Sequence, residues 1–322
     1  LRQSDTSVRI SLSLALLSTG RVIWSDAYSG AADETFELVD LAAARADSAL
    51  RTAINALDGE RLSDLPDDEL SASELRARAA FYYSEATIER YEQALALLDR
   101  ALDLVPDNPM SLAMWAYNQV WLLRARFEEG ETSLHTLIAT RSDAAVQAAP
   151  DSDFAAKVRC EVQLYLFRDI EAARRSAART AKLNPNYALL KLCETEIALA
   201  EGDWKGARAV TSEYFDAHPS DDNKASMYYA RAVTELLDGK HDAATDWIRE
   251  AIAERPATRV YHLLLAEIHR ATGDTIEYEN SISAANRSIE RYDPAALCFV
   301  LPEHATWLMD KISPSASSRP MK

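Results

Sequence analysis

Glycine is scarce in this chain, at 8 of 322 residues. That scarcity, with frequent Leu, Ala, Glu and Arg, favours helix. Cysteine is scarcer still. Cys160, Cys193 and Cys298 are odd in number and far apart, and they fit no metal or redox spacing, so at least one lacks an intrachain partner. They read as buried free thiols, which favours a reducing, cytoplasmic setting. No run approaches 18 apolar residues, so no transmembrane helix is expected. Bases are in deficit, 35 against 51 acids, for a net charge of -16. Nucleic acid and anionic membranes both require a basic surface, so neither is expected as a partner.

Catalytic signatures are also missing. There is no P-loop, G-x-G-x-x-G, H-E-x-x-H or G-x-S-x-G. His262 and His269 stand two turns apart on one predicted helix, too far for i,i+4 metal ligation. Nucleophilic catalysis needs a Ser or Cys beside a base, and the spacing offers none. No catalytic residue, metal or cofactor is expected, and the chain is not expected to be an enzyme. It starts at Leu1, without a signal-peptide pattern, and reads as a piece of a longer protein.

What is present is pattern. Val8, Ile10, Leu12, Leu14 and Leu16 alternate with Arg9, Ser11 and Ser13, the mark of a half-buried strand. A turn at residues 18–21 and a second strand from Val22 to Tyr28 complete a β-hairpin. Phe36, Val39, Ala43, Ala46, Leu50, Ile54 and Leu57 follow at helical spacing, predicting a helix from about Asp33, a plausible N-cap, to Leu57. Residues 59–73, with Gly59, Pro66 and several acids, read as a solvated acidic linker.

Beyond the linker the chain repeats itself. Gly202, Trp204, Ala207 and Pro219 are echoed by Gly239, His241, Ala244 and Pro256. Each Gly ends one helix, the small Ala lets the next pack closely, and the Pro closes the unit. Successive closing prolines lie 44, 35, 34, 37 and 38 residues apart, from Pro106 to Pro294. The 44 predicts a longer hairpin in the second unit. A period near 34 resembles the tetratricopeptide repeat, a stack of helical hairpins in which no unit buries its apolar face alone. The predicted fold class is therefore mostly α: a tetratricopeptide-like α-solenoid of about six helical hairpins over residues 74–294, preceded by a small α/β segment over 1–58. Residues 295–312 are too apolar to stand free and are the expected cap, and 313–322 a disordered tail.

The run Val8-Arg9-Ile10-Ser11 to Leu16-Leu17, then Thr19-Gly20-Arg21, Ile23-Trp24-Ser25 and Tyr28, resembles the end of the TolB-N-like segment of multidomain bacterial signalling proteins. There the segment precedes tetratricopeptide repeats, in tails attached to class III adenylate/guanylate cyclase domains or to winged-helix regulators of the CadC/HilA type. The resemblance implies a regulatory, protein-interaction module of such a protein.

In repeats of this kind the first helix of each unit lines a concave groove. The register assigns to it Val158, Val162 and Tyr165 in the third unit, Leu192 and Glu196 in the fourth, Tyr229 in the fifth, and Leu263, Glu267 and Arg270 in the sixth. Such a groove is largely apolar and predicts a helix within it, from another protein, a second copy in a homodimer or the chain's own flanks; a register error would instead put these residues in the core. The alternative is a small-ligand sensor with a pocket between repeats, which polar residues converging in a closed cavity would favour.

Overall fold

The computed structural model describes residues 2–3, 7–17, 19–85, 87–126, 130–218, 224–256 and 258–286. Alternation at residues 7–16 gives a strand, β2 (Ser7–Ala15), paired antiparallel with β3 (Val22–Ala31), which runs three residues past the predicted end. A two-residue strand, β1 (Arg2–Gln3), adds to the other edge of β2 and makes the sheet three-stranded in the order β1-β2-β3.

The helix that follows, α1 (Thr35–Leu62), is longer than predicted and does not lie on the sheet by the stripe that its spacing marks out. Leu38, Ala42 and Ala49 are buried, and Leu38 and Ala42 pack with Val8, Ile10 and Tyr28. The predicted stripe faces elsewhere: Phe36 is 83% exposed, Val39 45% and Ile54 51%. Small residues at 42 and 49 let the helix sit close to the strands, where Phe36 would hold it off. α1 thus carries two apolar stripes, and only one is used by the hairpin.

The predicted linker is largely structured. α1 continues to Leu62, residues Asp67–Glu69 form a 3-10 turn, and α2 (Ala72–Tyr83) begins on a Ser71–Glu74 capping box. Leu62 and Leu70 are buried. Arg78, itself buried, donates to the carbonyls of Leu62 and Leu65 and pairs with Asp67. One side chain so fixes the angle between α1 and the repeats. Arg78→Ala removes three donated hydrogen bonds at once and should cost about 2–3 kcal/mol. A fall in the urea midpoint checks this, and an unchanged midpoint counts against the clasp.

Six helical hairpins follow. They are α2 with α3 (Ile88–Leu104), α4 (Pro109–Arg126) with α5 (Thr132–Ala148), and α6 (Asp153–Tyr165) with α7 (Ile170–Leu183). Then come α8 (Leu190–Ala200) with α9 (Trp204–Ala217), α10 (Lys224–Leu237) with α11 (His241–Glu254), and α12 (Arg259–Thr272) with α13 (Thr275–Asn286). The second hairpin has the longest pair of helices, as the 44-residue spacing predicted. Gly202 and Gly239 stop their helices at φ +74° and +75°, a conformation that a Cβ penalises. Ala94, Ala173, Ala207 and Ala244 have no exposed surface, which is why only a small residue serves there. Thr180 and Tyr214, where the repeat pattern wants alanine, are buried all the same.

First helices pack on each other across units, α4 on α6, α6 on α8, α8 on α10. Second helices stay on the outside. The row curls: Arg255 at the end of α11 and Tyr261 of α12 lie near enough to Tyr91 of α3 to bear on its ionisation. Pro219, Pro294, Cys298, the cap over 295–312 and the tail over 313–322 lie outside the described residues.

Candidate functional site

The inner layer of the curled row is polar at its centre. Eight of the thirteen residues of α6 are buried, on every side of the helix, so it serves as the axle of the array. Among them are Lys157 and Glu161, 1% and 0% exposed, paired at 2.7 Å across one helical turn. Lys157 also stands 4.3 Å from the centre of the Tyr117 ring. Burial pushes the Glu161 carboxyl up, and Lys157 opposes the shift.

Arg124, near the end of α4, spans to α8. Its guanidinium lies 3.8 Å from the Tyr165 ring centre and 4.9 Å from that of Trp121, and one nitrogen reaches Glu196 Oε1 at 3.6 Å. That last contact is long for a charged pair, and Glu196 Oε2 has no hydrogen-bond partner. Burial therefore prevails: the Glu196 carboxyl is pushed up to about 8, with nearby Glu161 adding to the rise and Arg124 and Lys157 opposing it. Tyr83, Tyr117, Trp121 and Tyr165 form a chain of tilted and edge-on rings around these charges. The Tyr165 hydroxyl is buried without a hydrogen-bond partner.

Glu161, Glu196 and Glu267 each stand eleven residues after a unit-closing proline, Pro150, Pro185 and Pro256. They are one repeat position, occupied by a buried acid three times. The groove register finds Glu196 and Glu267 but slips by one residue in the third unit, so it names Val158 and Val162 in place of Lys157 and Glu161. Counting from the proline, and not from the nearest valine, reveals them. Arg124 has no comparable signal, because its partner lies two units away.

The structure brings Tyr165 and Glu196 together around Arg124. Val158 and Val162 are buried in the apolar core of the first units and Leu263 is buried in the last, so they have no open surface. Leu192 packs on the cluster of Ala188, Tyr214 and Met227. Tyr229 stacks on Tyr261 with ring centres 5.5 Å apart. Glu267 is buried and pairs with the half-buried Arg270 at 2.8 Å. These predicted groove positions are thus core positions, packed between neighbouring helices. Cys160 and Cys193 are free and buried. A second ion cluster ties units four and five, where Arg208 forks onto Glu235 at 2.9 and 2.8 Å and Arg231 reaches Glu235 at 2.7 Å.

Open apolar surface lies instead on the N-terminal segment. An open pocket of about 450 Å³ is lined by Leu16 at the end of the hairpin strand and by Ile54, Leu57, Asp58, Glu60 and Arg61 of α1. Arg61 is held at its edge by Asp58 at 3.3 Å and Glu74 at 3.2 Å. Leu17 and Val22, at the hairpin tip, are exposed, and the stripe from Phe36 to Ile54 runs up the helix from the pocket. No group of side chains able to hold a metal occurs among the described residues, and no helix among them is long and apolar enough to cross a membrane.

No family model matches the chain, and no curated relative matches it in sequence. Solved structures do match in fold. A tetratricopeptide repeat protein from Parabacteroides merdae aligns over 87% of this chain and 96% of its own, at 13% identity and TM-score 0.51. A human IFIT1 dimer with PPP-AAAA aligns over 73% of this chain at 16% identity and TM-score 0.54. A chain of the APC/C hetero-tetramer Cut9–Hcn1 aligns over 84% of this chain at 12% identity and TM-score 0.54. This chain covers 54% of the IFIT1 chain and 47% of the Cut9–Hcn1 chain it matches. The fold is a tetratricopeptide-like helical solenoid with a small sheet at its N-terminus.

Proposed function

We propose that this chain is a regulatory protein-interaction module whose repeats act as a rigid arm and whose contact surface is the exposed stripe of α1 with its pocket. The observation that carries the reading is the exposure of Phe36, Val39 and Ile54 on one continuous helix face that ends in an open pocket. The TolB-N-like resemblance of the hairpin supports a place in a bacterial signalling protein, with a nucleotide cyclase or a CadC/HilA-like regulator as output. Buried free thiols favour a cytoplasmic setting. Cut9 is found assembled with Hcn1 and IFIT1 as a dimer, so this fold serves assembly in both. IFIT1 is also seen with Gppp-AAAA and with PPP-AAAA. The net charge of -16 argues against that use here.

The test is cross-linking capture in the source cell with the chain in its natural setting. Wild type should retain a protein partner, and Phe36→Asp with Ile54→Asp should lose it while Tm stays within about 2 °C, since exposed sites tolerate such changes. Capture that survives the double substitution removes α1 as the contact surface.

A second reading, a small-ligand sensor, is favoured by Tyr165 and Glu196, buried polar groups that each carry an oxygen without a hydrogen-bond partner. Native mass spectrometry of gently purified protein should then show an added small mass that Glu196→Gln removes. Bare protein mass alone counts against it.

A further inference from the structure

We infer that Cys160 and Cys193 form a redox latch, a pair of thiols that closes into a disulfide and locks the third repeat unit to the fourth. The inference goes beyond the proposed function and does not depend on which surface the partner takes.

The two cysteines stand about one repeat period apart, a spacing that matches no redox motif. Stacking is what joins them. Each lies in the first helix of its unit, Cys160 on α6 and Cys193 on α8, and these helices pack on one another. Both side chains are 0% exposed and belong to one apolar cluster with Leu164, Leu190 and Ile197. Within it the two thiols are hydrogen-bonded to each other. A lone buried cysteine is an ordinary small hydrophobe. Two that touch across a helix interface can do more, because an S–S bond of about 2 Å is then within reach of side-chain rotation.

The surroundings set how the latch works. The hydrogen bond with Cys160 and burial together hold the Cys193 thiol well above its usual range, so it carries little thiolate while the array is closed. Oxidation is therefore slow until the contact between α6 and α8 opens. A peroxide is the class of oxidant required. One thiol attacks it, the O–O bond breaks, and a sulfenic acid and one water result. The second thiol attacks that sulfur, the S–S bond forms, and a second water leaves. Two electrons pass from the sulfurs to the peroxide, and both thiol protons end in the waters.

The closed loop holds about one repeat, so the bond restricts the unfolded chain and stabilises the centre of the array. It also fixes α6 against α8 beside the span of Arg124 from α4 to Glu196 of α8. In a reducing setting such bonds are transient and report oxidation.

The experiment uses the whole chain with Cys298→Ser, which leaves this one pair of thiols. The protein is treated with hydrogen peroxide in sub-denaturing urea, returned to buffer, then unfolded and alkylated without reductant. Peptide mapping by mass spectrometry should find Cys160 joined to Cys193 within one chain. The oxidised protein should melt about 5 °C above the reduced one, and dithiothreitol in the same urea should abolish the difference. Cys193→Ala should show no such rise, and Cys160→Ala replaces it if it fails to fold. Two alkylated thiols after oxidation overturn the inference, as does a sulfinic acid at either position or a bond between chains. A Cys160–Cys193 bond that lowers Tm overturns it too, because the helices are then not placed to accept it. Mapped peptides identify the bond in the wild type as well, so the test survives a Cys298→Ser protein that does not fold.

Discussion

Lys157→Met alone should destabilise the fold by about 3–5 kcal/mol, because it strands a buried carboxylate. Glu161 has no exposed surface, and Lys157 at 2.7 Å is its nearest positive charge. Without it, Glu161 must take up a proton or sit as a lone charge beside the Tyr117 and Trp121 rings. The pair together is a different matter. Lys157→Met with Glu161→Leu removes both charges and should be neutral or more stable by about 1–4 kcal/mol, since neither ion then has to leave water. Urea unfolding at constant m value separates the cases. A single substitution within about 0.5 kcal/mol of wild type, the range of ordinary surface changes, would falsify the buried pair.

Acidity provides the second large effect. A glutamate ordinarily titrates near 4.5, and burial holds Glu196 at about 8. The folded state therefore binds a proton that the unfolded chain has released between these values. Stability from this group is complete below pH 4.5 and is lost as pH rises through 8, at up to about 1.4 kcal/mol per pH unit. Arg124, Lys157 and Glu161 are the charged groups that bear on it. Tm should fall from pH 5 to 8.5 in the wild type, and Glu196→Gln should flatten that slope. Parallel slopes in the two proteins would mean that Arg124 holds the carboxylate ionised.

The repeats were legible in the sequence because each unit carries local signals. Glycines at positive φ, fully buried alanines and closing prolines act over a few residues, so periodic counting finds them. Two features escaped for different reasons. The packed face of α1 is not legible because the helix carries two overlapping apolar stripes, and periodicity cannot say which one the sheet takes. Leu38, Ala42 and Ala49 win because they allow a closer approach, which is a property of the pair of surfaces. The inner cluster was half legible. Its acids recur at a fixed distance from the prolines, yet Arg124 meets Glu196 only because the row curls, and curvature accumulates from many small angles that no single unit spells out.

That curl changes how the molecule yields to force or denaturant. A straight row of repeats whose members touch only their neighbours comes apart from its ends, one unit at a time. Here Arg124 of the second unit leans on Glu196 of the fourth, and the first unit lies within electrostatic reach of Arg255 at the end of the fifth. Loss of an end unit is felt in the middle. The array should thus give way as one block, more like a keystoned arch than a zip, and a partner that grips α1 would pull on the whole arch through Arg78.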